Sequence, residues 1–159
     1  MMKHATLLCL LAAATLPGCK QKLDMQKIES RVEKMIEDQT EARVDKVRCP
    51  EKREVKKDDE FECDVDFKGG GEAEVQIEQD GEGGVEMKLE PIVVMRKLAG
   101  KIEDSLADKG LKGEVSCEGD DVRHAEEGDA FECDVATPEG KKVVVIDILD
   151  DDKWKWRIK

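Results

Sequence analysis

Phe61-Glu62-Cys63-Asp64-Val65 returns as Phe131-Glu132-Cys133-Asp134-Val135, seventy positions further along the chain. An exact pentapeptide repeat within 159 residues is the signature of a longer internal repeat. Working outward, Ile28, Val32 and Ile36 match Leu98, Ile102 and Leu106 at the same offset. Val47 and Cys49 match Val115 and Cys117, and Val85, Met87 and Leu89 match Trp154, Trp156 and Ile158, each within two positions of it. The spacing predicts two tandem copies of one module, the first over 25–90 and the second over 91–159.

Within each copy the apolar period changes once. Ile28, Val32, Met35 and Ile36 fall on one stripe of an amphipathic helix. Asp24 is placed to cap it. In the second copy Pro91 stands where a helix start tolerates its missing N–H, and Gly110 lies beyond the helix end. After the helix the period falls to two. Phe61, Cys63, Val65 and Phe67 alternate with acids, Ala73, Val75 and Ile77 with Glu72, Glu74, Gln76 and Glu78, and Val85, Met87 and Leu89 with Glu86 and Lys88. These are half-buried strands with one wet face. Gly69-Gly70-Gly71 and Asp80 to Gly84 supply turns, and Pro138-Glu139-Gly140 and Asp150-Asp151-Asp152 do so in the second copy. Val143 to Leu149 is apolar on both faces over much of its length, as a more deeply covered strand would be. The expected fold class is α+β: two tandem modules, each one amphipathic helix packed on a four-stranded antiparallel sheet with one disulfide. Only Glu90-Pro91 joins them, which argues for packed rather than independently swinging modules.

Residues 1–18 differ from everything after them. Lys3 and His4 precede an apolar run from Leu7 to Ala14, too short to span a bilayer, which needs about 20 residues. The order of charge, apolar core and small residues reads as a signal peptide. Leu16-Pro17-Gly18-Cys19 resembles the bacterial lipobox, which makes Cys19 the expected lipidation site and 19–24 a lipidated tether. Acyl chains contribute about 0.8 kcal/mol per buried methylene, enough in combination to hold the protein on a membrane. Lys20 after that cysteine resembles the outer-membrane default, so the expected location is the cell envelope, facing the periplasm if the cell is Gram-negative.

Cys9 would leave with the signal and Cys19 would take lipid. Four cysteines remain, two per module, in a compartment that oxidises them. Four allow three connectivities. The repeat selects Cys49–Cys63 and Cys117–Cys133, one staple for each module. Redox chemistry would call for a Cys-x-x-Cys at a helix start, and zinc for close ligand pairs with histidine, of which His124 is the only one beyond the signal.

A helix, a Val-x-Cys strand, then Phe-x-Cys-x-Val and a two-strand tail resemble the domain-of-unknown-function family 4333 of bacterial lipoproteins and membrane-tethered proteins. Val47, Cys49, Phe61, Cys63 and Val65 carry the resemblance, and Val115, Cys117, Phe131, Cys133 and Val135 repeat it. It implies an envelope location and a paired-cysteine α+β module, with no known activity.

The formal net charge is −12, with 42% charged residues and no tyrosine. Nucleic acid, whose phosphates demand Lys and Arg, is not an expected partner. No serine-hydrolase, zinc-protease, phosphate-loop or dinucleotide motif occurs. Glu118-Gly119-Asp120-Asp121 and Asp150-Asp151-Asp152 lack the spaced ligands of a calcium loop and read as turns. Trp154 and Trp156, matching Val85 and Met87, read as core. The expectation is therefore no enzyme, no metal and no cofactor. What remains is a membrane-anchored bacterial lipoprotein of the envelope, a non-enzymatic binding or structural module held through lipid on Cys19, with an envelope protein as possible partner. The alternative is a small-ligand or ion-binding sensor or inhibitor domain, with a carboxylate- or thiol-based enzyme behind it.

Overall fold

The computed structural model describes residues 21–149 and 153–159. Cys19 and the 150–152 turn lie outside the described residues. The chain is a mixed α+β protein with two helices, antiparallel sheets and two disulfides.

Helix α1, Met25–Thr40, begins where Asp24 Oδ1 accepts from the Lys27 N–H at 3.1 Å. It buries Ile28, Val32 and Ile36. Strands β1 (Val44–Arg48), β2 (Glu60–Phe67), β3 (Glu72–Gln79) and β4 (Val85–Leu89) form an antiparallel meander in the order 1-2-3-4. In β2 and β3 every second residue is buried, from Phe61 to Phe67 and from Ala73 to Gln79. Period-two burial follows from one face meeting α1 and the other meeting water.

Gln79 is the exception among these apolar positions, 1% exposed. Its amide donates to Asp59 at 2.9 Å and its carbonyl oxygen accepts from the Lys56 N–H at 3.1 Å. The buried amide thereby fastens the loop between β1 and β2 to the end of β3.

The second half departs from expectation at its start. Pro91 does not open a helix. Ile92–Val94 forms strand β5, and helix α2 runs from Met95 to Asp108. Three consecutive β-branched residues favour extended backbone, and they find a partner in β7, Val122–His124, pairing Ile92 with His124 and Val94 with Val122. This two-stranded sheet lies outside the anticipated plan. Helix α2 has no capping side chain of its own. Asp121, preceding β7, takes that role: its carbonyl oxygen accepts from Met95 N at 2.6 Å and its Oδ1 from Arg96 N at 3.0 Å.

The remaining strands, β6 (Glu114–Ser116), β8 (Ala130–Thr137), β9 (Gly140–Ile148) and β10 (Trp154–Ile158), pair antiparallel in the order 10-9-8-6. Val144, Val145 and Ile146 are all buried, so β9 is covered on both faces at its centre. Leu98, Ile102 and Leu106 of α2 pack with Cys133, Val135, Val144 and Ile146, and Trp154 and Trp156 complete that core from its edge.

Candidate functional site

Cys49–Cys63 and Cys117–Cys133 are bonded within their own halves, each pair with Cα atoms 4.3 Å apart. Each joins the residue just after the first strand of a sheet to the middle of the next one. Cys63 is fully buried and Cys133 nearly so, while Cys49 and Cys117 are partly buried against the same cores, so each bridge runs from the edge of a core to its interior.

Residues 21–24 are not a free tether. Lys22 bridges Glu54 in antiparallel fashion, the Leu23 N–H donates to Arg53 O at 2.9 Å, and the Val55 N–H donates to Gln21 O at 2.8 Å. Leu23 is buried in the first core. Its apolar side chain draws the segment down, and the backbone pairing holds it there. The second half repeats this arrangement at an offset of seventy: Ile92 pairs with His124, and the Ala125 N–H donates to Pro91 O at 3.0 Å. Asp58 and Gly128 likewise occupy equivalent positive-φ turns, at 56° and 95°.

The halves meet end to end. The Asp121 N–H donates to Gly69 O at 3.0 Å and the Val122 N–H to Gly70 O at 3.2 Å. A Cβ on Gly71 would stand 2.0 Å from Val122 O, and one on Gly70 2.3 Å from Asp120 Oδ1. Gly70 and Gly71 also hold φ of 90° and 100°, a region side chains disfavour. The glycine turn is thus a backbone-to-backbone socket. Val94 and Val122 enter the core of the first half, sealing its end beyond Phe67. Outside the seal, Lys97 Nζ and Glu41 Oε1 lie 2.8 Å apart, and Arg96 Nη2 donates to Glu41 O at 2.6 Å. The Lys97 hydrogen bond, then its charge, holds the Glu41 carboxyl below the usual range.

The outer faces of the two large sheets differ in charge. On the first, Glu60 faces Glu78, Asp64 faces Glu74, Asp66 faces Glu72 and Glu78 faces Glu86. Like charges directly opposite destabilise a sheet. Arg48 offsets this at one edge through a bidentate contact to Asp66, whose carboxyl it holds low, chiefly by hydrogen bonding. On the second sheet opposite charges are matched: Arg157 with Asp147, Lys141 with Asp134 at 3.3 Å and Lys159 with Glu132 at 2.8 Å. Arg157 is therefore paired within its own sheet.

Among the described residues no group of three or more His, Cys, Asp or Glu stands together as metal ligands, and no helix is long and apolar enough to cross a membrane. Glu118 to Asp121 instead serves structure: Asp121 caps α2, while Arg123 donates to the Asp120 and Glu118 carbonyl oxygens. His124 sits on β7, half exposed, with Glu126 at 3.6 Å and Glu90 at 4.0 Å.

The cysteine pairing and the meander behind it can now be set beside known proteins. Residues 6–84 match the model of a family described as a domain of unknown function, DUF4333. The DUF4333 match takes in α1, Cys49, Cys63 and β1 to β3, and it ends at the turn before β4. No curated protein and no solved structure matches the chain.

Proposed function

We propose that the protein is a bacterial lipoprotein of the cell envelope, anchored through lipid on Cys19, whose folded body is two tandem modules acting as a non-enzymatic binding or structural element. The observation that carries this reading is the lipobox-like Leu16-Pro17-Gly18-Cys19 standing immediately before a body whose backbone is stitched down from Gln21 onward. Between Cys19 and that stitching only Lys20 intervenes, so the slack is about 7 Å at roughly 3.5 Å per residue. Such a link holds the first module against the bilayer surface rather than letting it range through the periplasm.

The offset-seventy correspondences support the tandem reading: the Lys22–Glu54 and Ile92–His124 bridges, the equivalent disulfides and the shared turn conformations. End-to-end contact at Gly69 to Gly71 directs the second module away from Gln21, which lies at the other end of the first sheet beside Gly83. Partner contacts are therefore assigned to the second module, with an envelope protein as the expected partner.

Fractionation of cells carrying Cys19→Ala tests the anchorage. The wild-type protein should carry lipid and stay in the membrane pellet, and the variant should be unlipidated and released. Wild-type protein without lipid, or a variant still firmly in the pellet, contradicts it. Cross-linking on intact cells tests the orientation, since partner links concentrated on residues 25–90 contradict a distal second module.

A further inference from the structure

The two modules end differently, and the difference leaves a cavity. At the end of the first sheet Phe67 and Ala73 face inward, 5% and 3% exposed, and Val94 and Val122 close over them. The corresponding inward positions of the second sheet are Thr137 and Lys142, since Val135 pairs with Lys142 as Val65 pairs with Ala73. Among the described residues, no strand pair covers that end as β5 and β7 cover the first. A cleft of about 260 Å³ opens there, walled by Leu106, Leu111, Val135, Val144 and Ile158. Leu111 and Ile158 are 49% and 45% exposed, two of three large hydrophobics so exposed among the described residues. Apolar surface left open beside a concavity marks a binding place.

Two features define the occupant. Lys142 projects from the core-facing side of its strand to the mouth of the cleft, where its side chain is 43% exposed and lies 3.6 Å from Glu139. Lys112, exposed, also lines the cleft, with no carboxylate partner among the described residues. Glu139 lines the cleft too, so the rim carries two lysines and one carboxylate, a net positive charge on a chain whose net charge is −12. A further copy of the chain does not dock here as the second module docks on the first. That joint needs Gly70 and Gly71, and the β8–β9 turn carries Pro138 and Glu139 instead, shortened by one residue.

We infer that the cleft at the far end of the second module binds an anionic amphiphile with a single aliphatic chain, the chain lying among the apolar walls and the head group between Lys112 and Lys142. The inference rests on the binding-module reading but not on Cys19. Failure of ligand binding leaves the lipidation and cross-linking results standing, and failure of those leaves the cleft to be tested separately.

The probe is decanoate, titrated into the isotope-labelled full chain in lipid nanodiscs and followed by amide and methyl NMR. Saturable shifts should concentrate on Leu106, Leu111, Val144 and Ile158 and be absent from Ile28, Val32 and Val75. Decyltrimethylammonium, with the same chain and opposite charge, should give none. Thr137→Phe, which restores the first module's residue, should abolish the shifts. Lys112→Ala and Lys142→Ala should each weaken binding about fivefold, the scale of one exposed charge pair, and they keep the test decisive if Thr137→Phe does not fold. Three results would overturn the proposal: shifts that do not saturate, equal response to the cation, or shifts that follow protein rather than decanoate concentration. The last would assign the cleft to a second copy.

Discussion

Phe67 and Thr137 occupy equivalent places at the ends of equivalent strands, yet one is sealed in a core and the other borders an open cleft. The strand geometry is shared, so strand propensity does not account for the difference. What differs is the neighbour. Val94, Val122 and the Asp121 and Val122 amides arrive at the first end, and the Gly69 to Gly71 turn is shaped to receive them. The second end has a shorter turn with side chains, and it carries polar residues on its inward face. The first half thus ends in a joint and the second in an exposed pole.

The comparison breaks most sharply under truncation. Phe67→Ala should cost roughly 3–5 kcal/mol, the range for removing a buried aromatic side chain. Thr137→Ala at the equivalent place should stay within about 0.5 kcal/mol, as expected of a half-exposed position. Chemical denaturation of both variants reads the contrast, and equal losses would mean that the ends are equally packed. Gly71→Ala follows closely: an added Cβ meets Val122 O in a left-handed backbone, so crowding and strain together should destabilise by roughly 3 kcal/mol. Gly140→Ala has φ of 125° but open space around it, and should show the backbone cost alone, about 1–2 kcal/mol.

Removing either disulfide should cost about 3 kcal/mol, by the entropy of closing a loop of some fifteen residues. Because the bridges belong to separate cores, thermal melts of Cys49→Ala/Cys63→Ala and Cys117→Ala/Cys133→Ala should each weaken mainly the half that lost its staple. Hydrogen exchange resolved by half would show this, and a uniform loss would sharpen the picture toward a single cooperative unit.

The smallest effect concerns pH. Glu41 and Asp66 are held below the usual carboxylate range, so their ion pairs contribute fully above it and lose that contribution as pH falls through the lowered values. Glu41 is exposed and Asp66 partly so, which keeps the effect modest. Glu41→Gln should flatten the acid side of the stability profile, and an unchanged profile would show that the Glu41–Lys97 pair adds nothing to the joint.

Much of this architecture is legible in the sequence because it is periodic. The helix stripe of Ile28, Val32 and Ile36, the alternation from Phe61 to Phe67 and the recurring cysteines all declare which face is buried. What escapes is local and short. Val122 to His124 is too brief to show a period, and its strand character comes from pairing with Ile92 to Val94. Pro91 carries a helix-start signal, but the three β-branched residues after it prevail. Asp121 looks like part of an acidic turn, and its capping role depends on a helix distant in sequence. Leu23 sits where a lipid tether was expected, and its burial depends on a pairing with residues 53–55 that no motif announces. The cleft was invisible for the same reason: Thr137 and Lys142 are unremarkable until they are seen facing inward without a cover.

The glycine turn of the first half is a socket closed by the second. Hydrogen exchange at the Asp121 and Val122 amides, compared between wild type and Gly71→Ala, tests it most directly. Both amides should be strongly protected in the wild type and lose that protection in the variant, while the β8–β9 amides keep theirs. Fast exchange at Asp121 and Val122 in the wild type would contradict it.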